Sequence, residues 1–244
     1  MITPFATLPS DMLAETQPII QVADVFKTYN IGESKFPVLR GISFDIHPGE
    51  FVAIVGPSGN GKTTLLNMMT GIDHPTQGEV RVNRKILNRM SEDQLAQWRG
   101  SDLGIVFQFF QLLPALSLLQ NIILPMDFSK TLPPRRRRER ALQLLQQVGL
   151  ADQAHKMPSA VSGGQQQRAA IARALANDPP VILADEPTGN LDSKTSAEVF
   201  DLFIELSRQG KTLVMVTHNM ELARRASRIL EVVNGQIVRD EKNP

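Results

Sequence analysis

The sequence predicts an α/β fold in which a parallel sheet is covered by helices on both faces. Three short apolar runs carry this expectation: FVAIV from Phe51, VILAD from Val181 to Asp185, and TLVMVTH from Thr212 to His218. Each is rich in β-branched residues and lacks polar alternation, as strands buried on both faces do. Helical stretches separate them, and buried strands alternating with helices indicate a parallel sheet covered on both faces.

Taken in order, residues 1–17 are mixed, contain proline and show no periodicity, so they read as a mobile tail. IIQVADVFKTY and VLRGISFDI alternate apolar and polar residues at period two and read as half-buried strands. After the first buried run comes a helix from Lys62 to Thr70, with Leu65, Leu66, Met68 and Met69 as its apolar surface. Between about 93 and 175 the β-like runs fade and helical sequence dominates, as in RRRRERALQLLQQVGL and GQQQRAAIARALAN. This reads as a mostly helical insertion, with core segments 18–92 and 176–238 on either side of it. A further helix spans Ser193 to Arg208. Ile229–Val233 and Gln236–Val238 flank Asn234-Gly235, a pair that supplies the two positive φ angles of a tight hairpin, and 239–244 reads as a C-terminal tail. There is no internal repeat.

Composition narrows the function classes. The 244 residues are 42% hydrophobic and 21% charged, enough for a sizeable core. Lys plus Arg total 26 against 25 for Asp plus Glu, a net charge of +1 that argues against a general polyanion binder, and nucleic acid is not an expected partner. The absence of cysteine removes disulfides, thiolate metal sites and cysteine nucleophiles together. Leu112 to Phe128 is the nearest approach to a membrane span, but Pro114, Gln120, Asn121, Pro125 and Asp127 interrupt it. The N-terminal residues lack the basic and apolar regions of a secretory signal, so the expectation is a cytoplasmic chain.

The chemistry concentrates at Gly56-Pro57-Ser58-Gly59-Asn60-Gly61-Lys62-Thr63, followed by Thr64. This is G-x-x-x-x-G-K-[ST] placed between a buried strand and a helix, the context a phosphate-binding loop requires. The glycines let successive backbone N–H groups converge on phosphate oxygens, and the helix N-terminus adds partial positive charge. Lys62 can reach the β- and γ-phosphates and the Thr63 hydroxyl can ligate Mg²⁺. At the end of a second buried run stand Asp185 and Glu186. Asp185 suits Mg²⁺, through water, and Glu186 suits a general base for an attacking water. Neighbouring strand residues point to opposite faces, so both can serve one nucleotide only if the strand ends there, and Pro187 suggests that it does.

These residues, with Val161-Ser162-Gly163-Gly164-Gln165, resemble the ATP-binding subunits of ATP-binding cassette (ABC) transporters, over nearly everything from Ile19 to Val238. The resemblance implies a P-loop NTPase (RecA-like) core with an antiparallel β subdomain and an inserted α-helical subdomain. It implies a second phosphate site at Ser162, Gly163, Gly164 and Gln165, completed when two chains sandwich two Mg·ATP. It also implies that Tyr29 stacks on adenine, that Gln108 senses Mg²⁺ and couples to the membrane partner, and that His218 contacts the γ-phosphate and orients water. Asn190-Leu191-Asp192 resembles the loop that crosses the dimer interface. Within the superfamily, PTGNLDS and VFQFFQLLPALSLLQNI are similar to the lipoprotein-release and macrolide-export branch, whose permeases carry large extracytoplasmic domains. Three departures stand out: Val161 for Leu, Asn60 for Ser and Gln120 for Glu.

On this reading the chain is an ATPase that dimerises and drives a separate permease from the inner face of the membrane. A soluble cassette of DNA repair, translation or cluster assembly is the alternative, as is an ATP-gated scaffold in cell division. Outside the motifs, Arg135–Arg140 reads as the solvated face of a helix beginning at Pro133-Pro134, with nucleic acid or anionic headgroups as the alternative. The apolar segment Phe107 to Leu119 suits either core burial or a groove for a permease helix. Trp98 reads as packing between subdomains.

Overall fold

The structure is a computed structural model describing residues 17–130 and 132–243. The tail expected over 1–17 lies, but for its last residue, outside the described residues. Two sheets form the framework. The first is antiparallel, with β1 (Ile20–Ile31), β2 (Ser34–Ile46), β4 (Gln77–Val82) and β5 (Lys85–Ile86) in the order β2-β1-β4-β5. The second has six strands: β3 (Phe51–Val55), β6 (Leu103–Val106), β7 (Val181–Asp185), β8 (Thr212–Val216), β9 (Arg228–Val233) and β10 (Gln236–Lys242). Their order is β10-β9-β3-β8-β7-β6, parallel except for β10.

Period-two alternation divides the buried strands between two cores. Phe51, Ala53 and Val55 of β3 face one cluster with Ile182, Ala184, Leu213 and Met215. Val52 and Ile54 face the other with Leu183, Val214 and Val216. The first cluster is closed by α3 (Leu118–Ser129), α4 (Pro134–Gln147), α5 (Gly163–Ala174) and α6 (Ser193–Arg208). The second is closed by α1 (Lys62–Thr70), α2 (Glu92–Asp102) and the antiparallel sheet. Trp98, fully buried on α2, packs in this second cluster, so the junction it fills is that of the parallel core with the antiparallel sheet. Phe203 on α6 is 1% exposed in the first cluster. Phe203→Ala should cost about 3–5 kcal/mol, read as a lower urea midpoint at unchanged slope.

Two segments differ from the sequence reading. Inside the stretch read as helical, β6 pairs in parallel with β7 from Leu103↔Val181 to Val106↔Ala184 and forms the sheet edge. Four residues are too short to register as a buried run, and Gly104 weakens the β signal. That glycine answers a close approach: a Cβ there would lie 2.7 Å from the Ala174 carbonyl oxygen. At the C-terminus the hairpin turn forms at Asn234-Gly235, but β10 continues to Lys242 instead of ending at Val238. Its polar residues read as a tail; in the fold Arg228 binds Asp240 through both carboxylate oxygens at 2.7 Å and also donates to the Asp45 carbonyl.

Arg135, Arg136 and Arg138 on α4 are exposed, in keeping with a solvated face. Arg137 instead donates to the Leu132 carbonyl and to Asp127, tying α4 to α3 and to the loop between them. Of the apolar segment, Leu118 and Leu119 are buried, whereas Phe109 and Leu113 are 68% and 45% exposed. The segment thus divides between core and surface.

Candidate functional site: a phosphate cradle at the ends of the parallel strands

The loop Gly56–Gly61 joins β3 to α1 at the C-terminal edge of the parallel sheet, where open α/β sheets bind ligands. Gly56 has φ 140, and a Cβ on it would sit 2.1 Å from the Val232 carbonyl oxygen, so β9 excludes any side chain there. Asn60 fastens the loop from the other side. Its amide donates to the Ser58 carbonyl at 3.0 Å and its oxygen accepts the Asn234 N–H at 2.6 Å. A serine could not reach both, so this departure from the family pattern links the loop to the β9–β10 turn. Lys62 curls back, its ammonium donating to the carbonyls of Gly56 and Pro57 at 2.9 Å each.

β7 ends at Asp185, as Pro187 suggests, and the two carboxylates separate by backbone conformation. The Thr63 hydroxyl donates to Asp185 Oδ1 at 3.3 Å. Glu186 lies in left-handed backbone with φ 47, a conformation rare outside glycine and concentrated at functional sites. Its N–H is satisfied by the Val216 carbonyl, and its carboxylate lies 2.8 Å from His218 Nδ1. Burial pushes the Asp185 carboxyl up; the Thr63 hydrogen bond opposes this, the Glu186 charge adds to it, and Lys62 pulls it back. A carboxylate held this way gains from a cation at its open side. Among the described residues no three acidic or histidine side chains cluster as metal ligands.

A cleft of about 550 Å³ gathers Lys62, Thr63, Thr64, Gln108, Glu186 and His218 along the glycine loop. The structure therefore unites the P-loop, Gln108 and the carboxylate–histidine pair. Ser162, Gly163, Gly164, Gln165, Asp192 and Tyr29 do not line this cleft. Ser162 and Gln165 form a capping box at the start of α5, each side chain accepting the other's backbone N–H, at 3.3 and 2.9 Å. Asp192 caps α6 by accepting from the Thr195 N–H and hydroxyl. Gln120 does at α3 what Gln165 does at α5, capping Ser117, so its replacement of Glu keeps the same hydrogen bonds.

Three contacts escaped the sequence reading. Asn190 and Gln108 face each other: Asn190 Nδ2 donates to the Gln108 carbonyl at 3.1 Å, and Gln108 Nε2 approaches Asn190 Oδ1 at 3.4 Å. Arg173 of α5, largely buried, grips the loop after Gln108 by donating to the carbonyls of Phe110 and Gln111, two successive residues with φ near 57 and 53. Asp73 accepts the Tyr29 hydroxyl. Only the PTGNLDS motif held a signal for the first pair, because Asn190 stands in it; the others arise from chain crossings that no local pattern encodes.

The fold and this site define a P-loop nucleotide-binding cassette. A family model described as "ABC transporter" matches residues 39–189. The chain belongs to the ABC transporter family as an ATP-binding, ATP-hydrolysing cassette. It is 49% identical to an uncharacterized ABC transporter ATP-binding protein of Thermotoga maritima, over 90% of this chain and 93% of that one. It is 46% identical to the macrolide export ATP-binding/permease protein MacB of Chlorobaculum tepidum, over 92% of this chain but 34% of that longer protein. The fold is similar to the dimeric ATP-binding cassette MJ0796 of Methanocaldococcus jannaschii in a post-hydrolysis state bound to ADP and Pi. The TM-score is 0.86 at 43% identity, covering 92% of this chain and 99% of that one.

Proposed function

We propose that the chain is the ATP-hydrolysing subunit of a membrane export or mechanotransmission complex, acting as a pair of cassettes on a separate permease. The observation that carries the reading is the split of the phosphate-binding residues between two places. One cleft holds the P-loop, Gln108, Glu186 and His218, while the capped turn Ser162–Gln165 and Asp192 lie outside it. A second copy in head-to-tail contact would bring its own Ser162–Gln165 turn to the γ-phosphate, and its Asp192 loop near the P-loop. MJ0796, similar over nearly its whole length, is dimeric with ADP and Pi.

Hydrolysis would follow from positions already set. Backbone N–H groups of Ser58–Thr63 and the Lys62 ammonium would hold the phosphates. Glu186 would accept a proton from the attacking water while His218, hydrogen-bonded to it, holds the carboxylate and reaches the γ-phosphate. Mg²⁺ fits the hard oxygen donors converging here, the Thr63 hydroxyl and Asp185, with Gln108 at its edge. Bound there, it would neutralise charge on the β- and γ-phosphoryl oxygens.

The membrane partner is inferred from what the cassette exposes and from its relatives. Among the described residues no helix is long and apolar enough to cross a membrane. Phe109 and Leu113, beside Gln108 in sequence, are exposed and suit a groove for a cytoplasmic helix of the permease. MacB of Chlorobaculum tepidum joins its ATP-binding part to a permease in one chain. By the branch resemblance the partner carries a large extracytoplasmic domain, and this chain sits peripherally on the inner face of the membrane. Expression with tagged chain should co-purify one integral membrane protein, and phosphate release should rise in its presence. A chain that hydrolyses ATP yet recovers no membrane protein would support the soluble alternative.

A further inference from the structure

Tyr29 is the only tyrosine in the sequence, and its surroundings are built rather than incidental. Its hydroxyl donates to Asp73 Oδ2 at 2.7 Å. Lys27, two residues earlier on β1, donates to Asp73 Oδ1 at 2.5 Å and to the His74 carbonyl at 2.7 Å. The same ammonium lies over one face of the Tyr29 ring, 4.8 Å from its centroid. The ion pair is well covered, with side-chain exposures of 12% for Lys27 and 28% for Asp73. Burial alone would raise the Asp73 carboxyl, but hydrogen bonds from Lys27, Tyr29 and the His74 N–H outweigh it and hold the group below the ordinary carboxylate range.

The segment carrying Asp73 is itself anchored to α1. The Asp73 N–H donates to the Asn67 carbonyl at 3.3 Å, folding the chain back beside the helix. Thr64, in the first turn of α1, opposes the rise that burial and Asp73 impose on the ionisation of the same phenol. Two further bonds lock β1 to this segment: Thr76 N–H to the Phe26 carbonyl at 2.7 Å, and Thr28 N–H to the Thr76 hydroxyl at 3.0 Å. Through Asp73 the phenol is thus tied to the helix whose N-terminus forms the phosphate cradle. One ring face is taken by Lys27, and a planar ligand can stack only on the other.

We propose that Asp73 and Lys27 are positioning residues for the nucleotide base: they fix the Tyr29 ring in register with α1 and so set the separation between base platform and phosphate cradle. The proposal rests on the reading of Tyr29 as the adenine-stacking ring. Stacking on a fixed ring avoids the cost of ordering it at binding, so loosening the ring should lower affinity for ATP and not for phosphates alone.

The test uses the full chain with ATP and inorganic tripolyphosphate as probes in titration calorimetry. Asp73→Ala should weaken ATP binding about tenfold and leave tripolyphosphate binding unchanged. Tyr29→Ala should do the same, and the double variant should be no weaker than either single one. Because Tyr29 is the only tyrosine, its ionisation is read directly from ultraviolet absorbance. The midpoint should fall in Asp73→Ala, and by less in the isosteric Asp73→Asn, which also guards against loss of folding. ATP affinity unchanged in Asp73→Ala while Tyr29→Ala is weak overturns the positioning role and leaves the stacking reading standing. Unchanged affinity in Tyr29→Ala overturns the stacking reading and the proposal with it. Equal loss of ATP and tripolyphosphate in Asp73→Ala overturns the proposal in favour of damage to α1.

Discussion

Glu186→Gln should abolish multiple turnover while leaving ATP bound. Glutamine keeps the shape of the side chain and its hydrogen bond to His218, but it cannot accept the proton of an attacking water. Loss of a positioned general base costs about 10²–10⁴ in rate. The left-handed backbone at this residue adds specificity to the expectation. With φ 47 the carboxylate is directed to His218 and the cleft although Asp185 is the residue before it, so no neighbouring acid can take its place. A phosphate-release assay should read near zero, and size-exclusion chromatography with ATP should show a dimer that persists. Brisk steady-state hydrolysis by the variant would remove Glu186 from the role.

The second large effect is expected at Lys62. Its ammonium donates to the carbonyls of Gly56 and Pro57, so it is held over the loop, where the same donor is available to phosphate. Hydrogen bonds involving a charged group contribute about 1.5–3 kcal/mol, so Lys62→Ala should weaken ATP binding by roughly 10–150-fold. Equilibrium binding of a fluorescent ATP analogue measures this directly. Affinity equal to the parent would contradict the assignment of the loop as the phosphate cradle. The variants separate two jobs, since Glu186→Gln binds without turning over and Lys62→Ala fails to bind.

The parallel core and its strand ends were legible because buried strands write themselves as uninterrupted apolar runs. Val181–Asp185 appears in the structure as read, and so do the helices Lys62–Thr70 and Ser193–Arg208. The P-loop was legible for a different reason: its chemistry needs backbone contacts that only particular residues in fixed order permit. What escaped were features settled by distant segments. β6 is visible only once β7 stands beside it and α5 presses on Gly104. The extension of β10 depends on Arg228 meeting Asp240 across the hairpin. The links from Tyr29 to Asp73 and from Arg173 to Phe110 span 44 and 63 residues, and no short pattern carries them. Glu186 was a candidate on its chemistry alone, but its backbone conformation followed only from the strand end and the Val216 carbonyl that receives its N–H.

Arg173 has a mechanical meaning. It sits near the last turn of α5, gripping the backbone that follows Gln108, while Ser162 and Gly163 begin the same helix at the other end. Twelve residues of helix make a rod of about 18 Å. While the two bonds hold, a push on the exposed Phe109 side of the loop would be passed to the helix. Its far end carries the glycine turn, so whatever moves the loop after Gln108 would be felt where phosphate would be met.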